Sequence, residues 1–502
     1  MSKHSRSQIL INSQSGEVRV ALLEDEVVQE IHIERTNDLS IVGNIYRAVV
    51  TRVMPGLQAA FVDFGSERNG FLHIDDVFAN AIAQPNQQTN ASNNIKDIRY
   101  LLREGQQISV QVLKEPVAEK GARLSTKLAL ASTYAVYKPN GSGHKISHRI
   151  SAKDERVRLE NGLAEILDTS PMRQKNCAGS YILRSAANNI DLSLLAADVH
   201  FLQRLWLGVE AKRAIGNRPS CLHQELPVEQ RLIRDLPVGE LTQIIADDKR
   251  VLDKLKKFCD DIKIDIPNGL NYYSESQPLF GKYGIDLEVE KALQGRIELD
   301  NGGYLIIDQT EAMATVDVNT GSNVGRHDPE KTVYQTNLCS VTEIAHQIRL
   351  RNLSGIIVID FIDMQNTHHR EHVLDSLKSA MKGDRTDVFI SKFTELGLVQ
   401  IRRKRTYQSL RQLLHADCSN CHGYGSVKSV DTVVFEIWRE LKRVVDMYNC
   451  TTLSVRASSE VIEGILASKD TFMKTFNEIF KCKVVITDEP LFTREQFDVI
   501  PG

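Results

Sequence analysis

No run of about 18 apolar residues occurs anywhere in the chain, which excludes a helix that spans a membrane. The polar start from Met1 to Gln8 has no apolar stretch behind it, so no secretory leader is expected. Charge of one sign is missing too: 62 Lys and Arg against 65 Asp and Glu leave a formal net charge of −3. A global signature of a nucleic-acid binder is thereby absent, and any such contact has to come from local basic and aromatic patches. Cysteines close enough in sequence to act together are scarce. Of the eight, Cys177, Cys221, Cys259, Cys339, Cys450 and Cys482 stand singly and read as reduced thiols of the cytosol, while Cys418 and Cys421 form a spaced pair. No internal repeat is visible. What is present is globular in kind: 42% hydrophobic and 25% charged residues argue against long disorder. A length of 502 residues implies about three to five structural units.

Residues 9–33 alternate polar and apolar positions around the turn-like Ser15-Gly16 and Glu24-Asp25, the pattern of a small antiparallel sheet. From Gly43 the run GNIYRAVVTRVMPGLQAAFVDFGSERNGFLHIDDV keeps a strand-like rhythm with Gly and Pro at short intervals, as a small closed β-barrel does. The Asn-, Gln- and Ala-rich residues 80–94 interrupt it as a surface loop, and 107–112 with 122–125 complete the barrel. Strands and helices mix between 128 and 225, and the spacing turns partly helical from 227 to 255. Beyond Leu287 the pattern predicts a helix at 288–293, a hairpin at 296–319, a long helix at 329–353 and a buried strand at 355–362. Asp328-Pro329 is expected to start the long helix and Gly355 to lie just past its end. An α/β catalytic unit fits this stretch.

In Thr315-Val316-Asp317-Val318-Asn319 the strand period of two puts Thr315, Asp317 and Asn319 on one face and the valines on the other. The run from Ile356 to Asp363 is too apolar for a half-exposed strand, so it is expected to be central, with Asp360 arriving where the strand leaves the core. Two carboxylates brought together by a strand–helix–strand unit repel one another unless a cation intervenes. Mg2+ suits them as a hard ion that takes oxygen ligands and keeps waters. Such an ion activates water and offsets charge in phosphodiester hydrolysis. The same spacing would equally serve capped or ion-paired structural acids.

The barrel segment sets Phe61 and Phe71 beside Arg68, Lys114, Lys120 and Arg123. Aromatic faces stack bases and cations hold phosphates, which an OB barrel does with single strands, whereas the plainer reading makes both phenylalanines core residues. Cys418-Ser419-Asn420-Cys421 followed by Gly423 and Gly425 reads as a two-thiolate knuckle, half of a tetrahedral zinc site. Either His415 and His422 complete it, or a second protomer does, or the pair stays reduced without metal. The run Arg402-Arg403-Lys404-Arg405 is a phosphate guide or a solvated face.

These residues together resemble the ribonuclease E/G family, most specifically in GGYLIIDQTEAMATVDVNTG (302–321), RLRNLSGIIVIDFIDM (349–364) and CSNCHGYGSV (418–427). The resemblance covers essentially the whole chain, and without the long polar tail of the family's larger members it is to the shorter branch. It implies a multidomain α/β and β architecture: residues 1–42 as the first segment of a ribonuclease-H-like part, 43–127 as an OB-fold RNA-binding domain of the ribosomal S1 type, 128–228 as a 5′-end sensor region, 229–292 as the second ribonuclease-H-like segment, 293–414 as a deoxyribonuclease-I-like catalytic part, 415–426 as a zinc link and 427–502 as a small C-terminal α/β domain. It further implies a cytoplasmic, Mg2+-dependent endoribonuclease that hydrolyses single-stranded, A/U-rich RNA to 5′-phosphate and 3′-hydroxyl ends in ribosomal RNA maturation and mRNA decay, stimulated by a 5′-monophosphate. Asp317 and Asp360 would hold the Mg2+ and Asn319 would assist at the scissile phosphate. Phe61, Phe71, Lys114 and Lys120 would grip RNA, while Arg184 and Ser185, with backbone help near Ser132 and Val136, would sense the 5′ end. Cys418 and Cys421 would bind zinc shared between the protomers of a homodimer, itself able to pair further.

Three departures from the family pattern stand out. The Arg-Thr sensor pair reads Arg184-Ser185, Asp387 occupies a position that is basic in relatives, and residues 80–94 look inserted. Arg184 has a plainer role as the partner of an acid such as Asp191, and Asp387 could pair with Arg385 or face solvent. A non-catalytic RNA-binding protein using the barrel alone, or a nuclease that prefers DNA, remain the competing functions.

Overall fold

The computed structural model describes residues 7–36, 40–78, 97–116, 121–170, 179–216, 218–236, 241–322, 329–405, 407–448, 450–467 and 481–502. Lys120, Cys177, Asp328 and the proposed surface loop at 80–94 lie outside the described residues. The chain divides into two compact units, Met1–Leu413 and Leu414–Gly502.

Among the described residues, the larger unit is built on four sheets. The first runs in the order Leu270–Tyr272, Leu241–Ala246, Ser7–Gln14, Glu17–Glu24, Val27–Arg35: an N-terminal antiparallel meander to which two later strands add in parallel. The second hairpin turns on Asp25 and Glu26, one residue later than the sequence pattern placed it. Both take positive φ (48° and 69°), the conformation that matches the right-handed twist of the flanking strands. Helices Val228–Asp235 and Lys249–Ile262 bury Leu232, Ile233, Leu255 and Ile262 against Ile9, Ile11, Val20 and Leu22.

A closed barrel follows. Ile45–Met54, Ala59–Asp63, Gly70–His73, Arg123–Ser125 and Gln107–Lys114 pair in sequence around it, and Ile45–Met54 pairs back onto Gln107–Lys114. Val50, Val62, Leu72, Val110, Val112 and Leu124 fill it. Ser220–His223 adds on the outside of Ile45–Met54, a pairing that the sequence pattern did not suggest. The third sheet is Lys145–Ile146, Ser180–Leu183, Ala135–Lys138, Leu130–Ala131. Helices Lys153–Thr169 and Leu192–Ala214 share its core of Tyr134, Tyr137, Tyr181 and Trp206.

The fourth sheet has six strands in the order Arg296–Glu298, Tyr304–Gln309, Met313–Asn319, Gly355–Asp360, Leu398–Arg403, Val388–Ile390. The stretch 296–319, expected as one hairpin, is a three-stranded meander. Helices Pro329–Leu350 and Thr367–Ala380 cover one face, where Val316, Val318, Ile357, Ile359, Val399 and Ile401 meet Ile344, Ile348, Val373 and Leu377. The long helix ends at Leu350, earlier than its apolar spacing suggested, because Asn352 takes φ 50° and the N–H groups of Asn352 and Leu353 fold back onto the carbonyls of Arg349 and Ile348. That is the double closure of a left-handed helix stop, made here by Asn rather than Gly. Gly355 instead allows a close approach, since a Cβ there would lie 3.1 Å from Arg405 Nε.

In the smaller unit, strands Lys483–Asp488, Thr452–Ala457 and Phe497–Pro501 form a sheet with one parallel and one antiparallel pair. Helices Val430–Tyr448 and Ser459–Ala467 pack on it through Val433, Ile437, Leu441, Val461 and Ile465.

Candidate active site and RNA-binding surface

Asp317 and Asp360 are direct neighbours across two parallel strands, paired in register. Alternation turns Val316 and Val318 into the core and leaves Asp317 exposed, with Asn319 half-buried on the same face. The strand Gly355–Asp360 is central in the sheet, yet only one of its faces is fully buried: Ile357 and Ile359 point to the helices, whereas Ile356, Val358 and Asp360 look outward. The strand therefore does not need to leave the core to deliver Asp360. Asn319 Nδ2 donates to Asp317 Oδ2 at 2.9 Å and fixes that carboxylate. The Asp360 carboxyl is pushed above the usual range by partial burial, then by the negative charges of Asp317 and Asp363. Asp363 thus joins the pair electrostatically, a third acid that strand periodicity could not identify because it stands on the loop beyond.

Two supports hold this edge. Asn337, fully buried on the long helix, donates to the Ile362 carbonyl at 2.8 Å and accepts from the Ile362 N–H at 3.1 Å, pinning the loop between Asp360 and Asp363. An amide on the helical face that also carries Val341, Ile344 and Ile348 was the signal for it. Gly303 lets the neighbouring turn approach, since a Cβ there would stand 2.8 Å from the Asn319 carbonyl oxygen. Among the described residues no set of three close His, Cys, Asp or Glu side chains forms a ready-made metal cage. Two mutually repelling oxygen ligands nevertheless fit an ion that retains most of its water, as Mg2+ does. A cavity of about 280 Å3 lined by His32, Glu34, Arg231 and Tyr407 does not include these acids. They stand on an open sheet surface.

On the barrel, Phe61 and Phe71 are directly paired, their ring centroids 6.2 Å apart and nearly edge-on, and both are half-buried rather than core. The register extends the row in both directions: Arg52 opposite Phe61, Arg123 opposite Phe71, and Lys114 opposite Arg123. His73 stacks beside Phe71 with centroids 6.5 Å apart. Arg52 and His73 were not singled out from the sequence; only the register places them with the phenylalanines. Arg123 is tied to Asp76 at 2.8 Å, and Lys114 is exposed.

Arg184 does not pair with Asp191. Asp191 caps the helix Leu192–Ala214 by accepting from the Ser193 N–H at 2.8 Å, while Arg184 Nη1 donates to Asp235 at 2.8 Å and to the Ser132 carbonyl at 2.7 Å. Burial raises the Asp235 carboxyl, but Arg234 and then Arg184 outweigh it and hold it at about 2. Ser132 is thus brought to Arg184 through its backbone. Its hydroxyl donates to Asp198, which also accepts the Tyr134 and Ala135 N–H groups at 3.0 Å each. Ser185 is exposed at the start of a short turn, and Val136 lies on the neighbouring strand opposite Ile182. Asp387 is exposed, and Arg385 is bound to Glu30 instead.

The basic run divides by burial. Arg403 is structural, donating to Asp384 at 2.6 Å and to the Leu353 carbonyl at 3.0 Å, whereas Arg402, Lys404 and Arg405 are exposed. In the smaller unit Cys418 and Cys421 share one turn, closed by the His422 N–H on the Cys418 carbonyl at 2.7 Å and by the Tyr424 N–H on the Cys421 carbonyl at 2.8 Å. His422 and Gly423 have φ of 47° and 87°. The Cys418 thiol is pulled below its usual range by the backbone N–H groups of Cys421 and Asn420, then by the Cys421 side chain. Two sulfurs so placed fit half a zinc site. His415 and His422 do not complete a four-ligand set among the described residues.

Three family models match the chain: Ribonuclease E/G family over residues 129–406, S1 RNA binding domain over 40–127, and RNase E/G, Thioredoxin-like domain over 417–501. The chain is 40% identical to ribonuclease G of Escherichia coli (strain K12) over 98% of its own length and 99% of that protein's. The same figures hold for ribonuclease G of Haemophilus influenzae. With ribonuclease E of Escherichia coli it shares 35% identity over 96% of its own length but 45% of that protein's.

Proposed function

Because the chain belongs to the ribonuclease E/G family and is an endoribonuclease that binds RNA through an S1 barrel, we propose that it cleaves single-stranded, A/U-rich RNA by Mg2+-dependent hydrolysis. The observation that carries this reading is the in-register pair of Asp317 and Asp360 on an open sheet face, each repelling the other. Asp317 and Asp360 would hold the ion, which when bound supplies an activated water and offsets charge on the phosphate. Asn319 keeps Asp317 turned toward its partner and presents an amide to the scissile phosphate. Asn337 keeps the loop that carries Asp363 in place. The row Arg52, Phe61, Phe71, Arg123 and Lys114, together with Lys120, grips the strand by stacking and charge, so an unpaired substrate is required.

Stimulation by a 5′-monophosphate belongs to the same reading: Arg184 and the Ser185 hydroxyl converge on a terminal phosphate, with the backbone near Ser132 and Val136. Cys418 and Cys421 hold zinc together with the same pair of a second protomer, giving a homodimer. The work of such an enzyme is ribosomal RNA maturation and mRNA decay in the cytoplasm, where the free cysteines stay reduced. No helix among the described residues is long and apolar enough to cross a membrane.

The test is to incubate the purified chain with a 5′-monophosphorylated A/U-rich RNA, with and without Mg2+, and to map the product ends. The expected products carry 5′-phosphate and 3′-hydroxyl and appear only with the ion. Ends bearing 2′,3′-cyclic phosphate would show that the RNA's own hydroxyl attacks, and the reading would fail. A matched DNA oligonucleotide cut equally well would overturn the RNA preference.

A further inference from the structure

Among the described residues, the sheet that carries Asp317 and Asp360 is covered by helices on one face only. Across the other face the strands are in register, so outward side chains form rows. Asp317 and Asp360 share one row; Met313, Ile356, Arg402 and Phe389 share another, four residues back along the acid-bearing strands. At a rise of 3.3 Å per residue the two rows are about 13 Å apart.

The second row is apolar and open: Phe389 is 60% exposed, Ile356 51% and Met313 38%. Its charged member is Arg402, exposed, with its guanidinium carbon 6.0 Å from the Phe389 ring centroid. Lys404 and Arg405 follow, both exposed, while Asp308 and Asp387 flank the row without entering it. Large apolar side chains gathered in the open mark a contact surface. An aromatic face beside a planar cation suits a nucleobase and its phosphate, and an RNA strand seated at the acids already lies on this face. Continuity with the acids and the sign of the charge therefore favour RNA over a second protein surface.

We propose that Met313, Ile356, Arg402 and Phe389 form a second single-stranded RNA platform, which holds a base of the substrate at a fixed distance from the bond cleaved at Asp317 and Asp360. This rests on the acids being the cleavage site and adds the course of the strand beyond it.

The test uses the full chain and 5′-hydroxyl RNAs that share one mapped cleavage site, trimmed stepwise from the 5′ side in one series and from the 3′ side in another. In wild type, one trimming step in one series should lower kcat/KM about tenfold, the size of a lost stacking contact. Phe389→Ala and Arg402→Gln should lack that step and cut the trimmed RNA at the wild-type rate. Variants that keep the step overturn the platform. So does Phe389→Ala if it halves the native mass, since the face would then join two copies of the chain. Trimmed RNA cut by wild type but not by Asp317→Asn leaves the cleavage site standing whatever Phe389 does. Normal cutting by Asp317→Asn removes that site and, with it, the platform's defined distance.

Discussion

At the scale of single residues, ionisable side chains divide into those spent on structure and those left for substrate. Arg184 is shared: one of its nitrogens holds Asp235 and the Ser132 carbonyl, which orients the guanidinium, and in the proposed 5′-end sensing its other edge would meet the terminal phosphate. Arg184→Ala should therefore bring the ratio of cleavage of 5′-monophosphate over 5′-hydroxyl RNA to about one, with 5′-hydroxyl RNA cut as before; an unchanged ratio places end sensing elsewhere. Asp198 is wholly buried beneath this corner, and burial raises its carboxyl to about 6 despite the donors from Ser132, Tyr134 and Ala135. Its unfolded value is about 3.9, so the folded protein binds the proton more tightly. The resulting stability is fully present below about pH 4 and is lost as pH rises through about 6, a change on the order of 3 kcal/mol. Asp235 acts in the opposite sense and in a lower window, losing its contribution as pH falls toward 2. Asp198→Asn cannot ionise, so the difference in urea midpoint between variant and wild type should shift in the variant's favour from pH 4 to pH 6.5. A difference that stays constant across that range would contradict the assignment.

At the scale of elements, the edge that carries Asp317 and Asp360 depends on how strands and helices are tied where they meet. Asn337 satisfies both backbone groups of Ile362, and removing it loses two part-buried hydrogen bonds at about 1 kcal/mol each. Asn337→Ala should lower the melting temperature by several degrees and single-turnover cleavage by about tenfold, with RNA affinity retained. Unchanged cleavage in a destabilised protein would make Asn337 a purely structural anchor. Much of this element was legible beforehand. Alternation around Val316 and Val318 put Asp317 and Asn319 on one side, and the apolar run at 356–359 marked a central strand. What periodicity could not give was register, since nothing in either strand alone says that Asp317 stands beside Asp360, or Arg52 beside Phe61. Partners far apart in sequence were equally hidden: Asp235 is an acid like Asp191 until the fold brings it to Arg184. The helix stop at Asn352 was missed because the apolar spacing runs on to Leu353 while a single left-handed residue ends the hydrogen bonding.

At the scale of the whole molecule, the assembly and the chemistry can be tested apart. If Cys418 and Cys421 supply half of one tetrahedral zinc site, native mass spectrometry should find about one zinc per two chains. Cys418→Ser should then release the metal and halve the mass while each chain keeps its folded sheets. One zinc held by an isolated chain would instead require ligands from within it. In the proposed function the chemistry rests on the two acids. Asp317→Asn and Asp360→Asn in the full chain each remove one charge from the pair and leave the barrel row untouched. The most direct measurement is single-turnover cleavage at saturating Mg2+, set beside RNA affinity and melting temperature for the same preparations. Each variant should lose cleavage by orders of magnitude while binding RNA and melting as wild type does; either variant cutting at a near-normal rate would contradict the account.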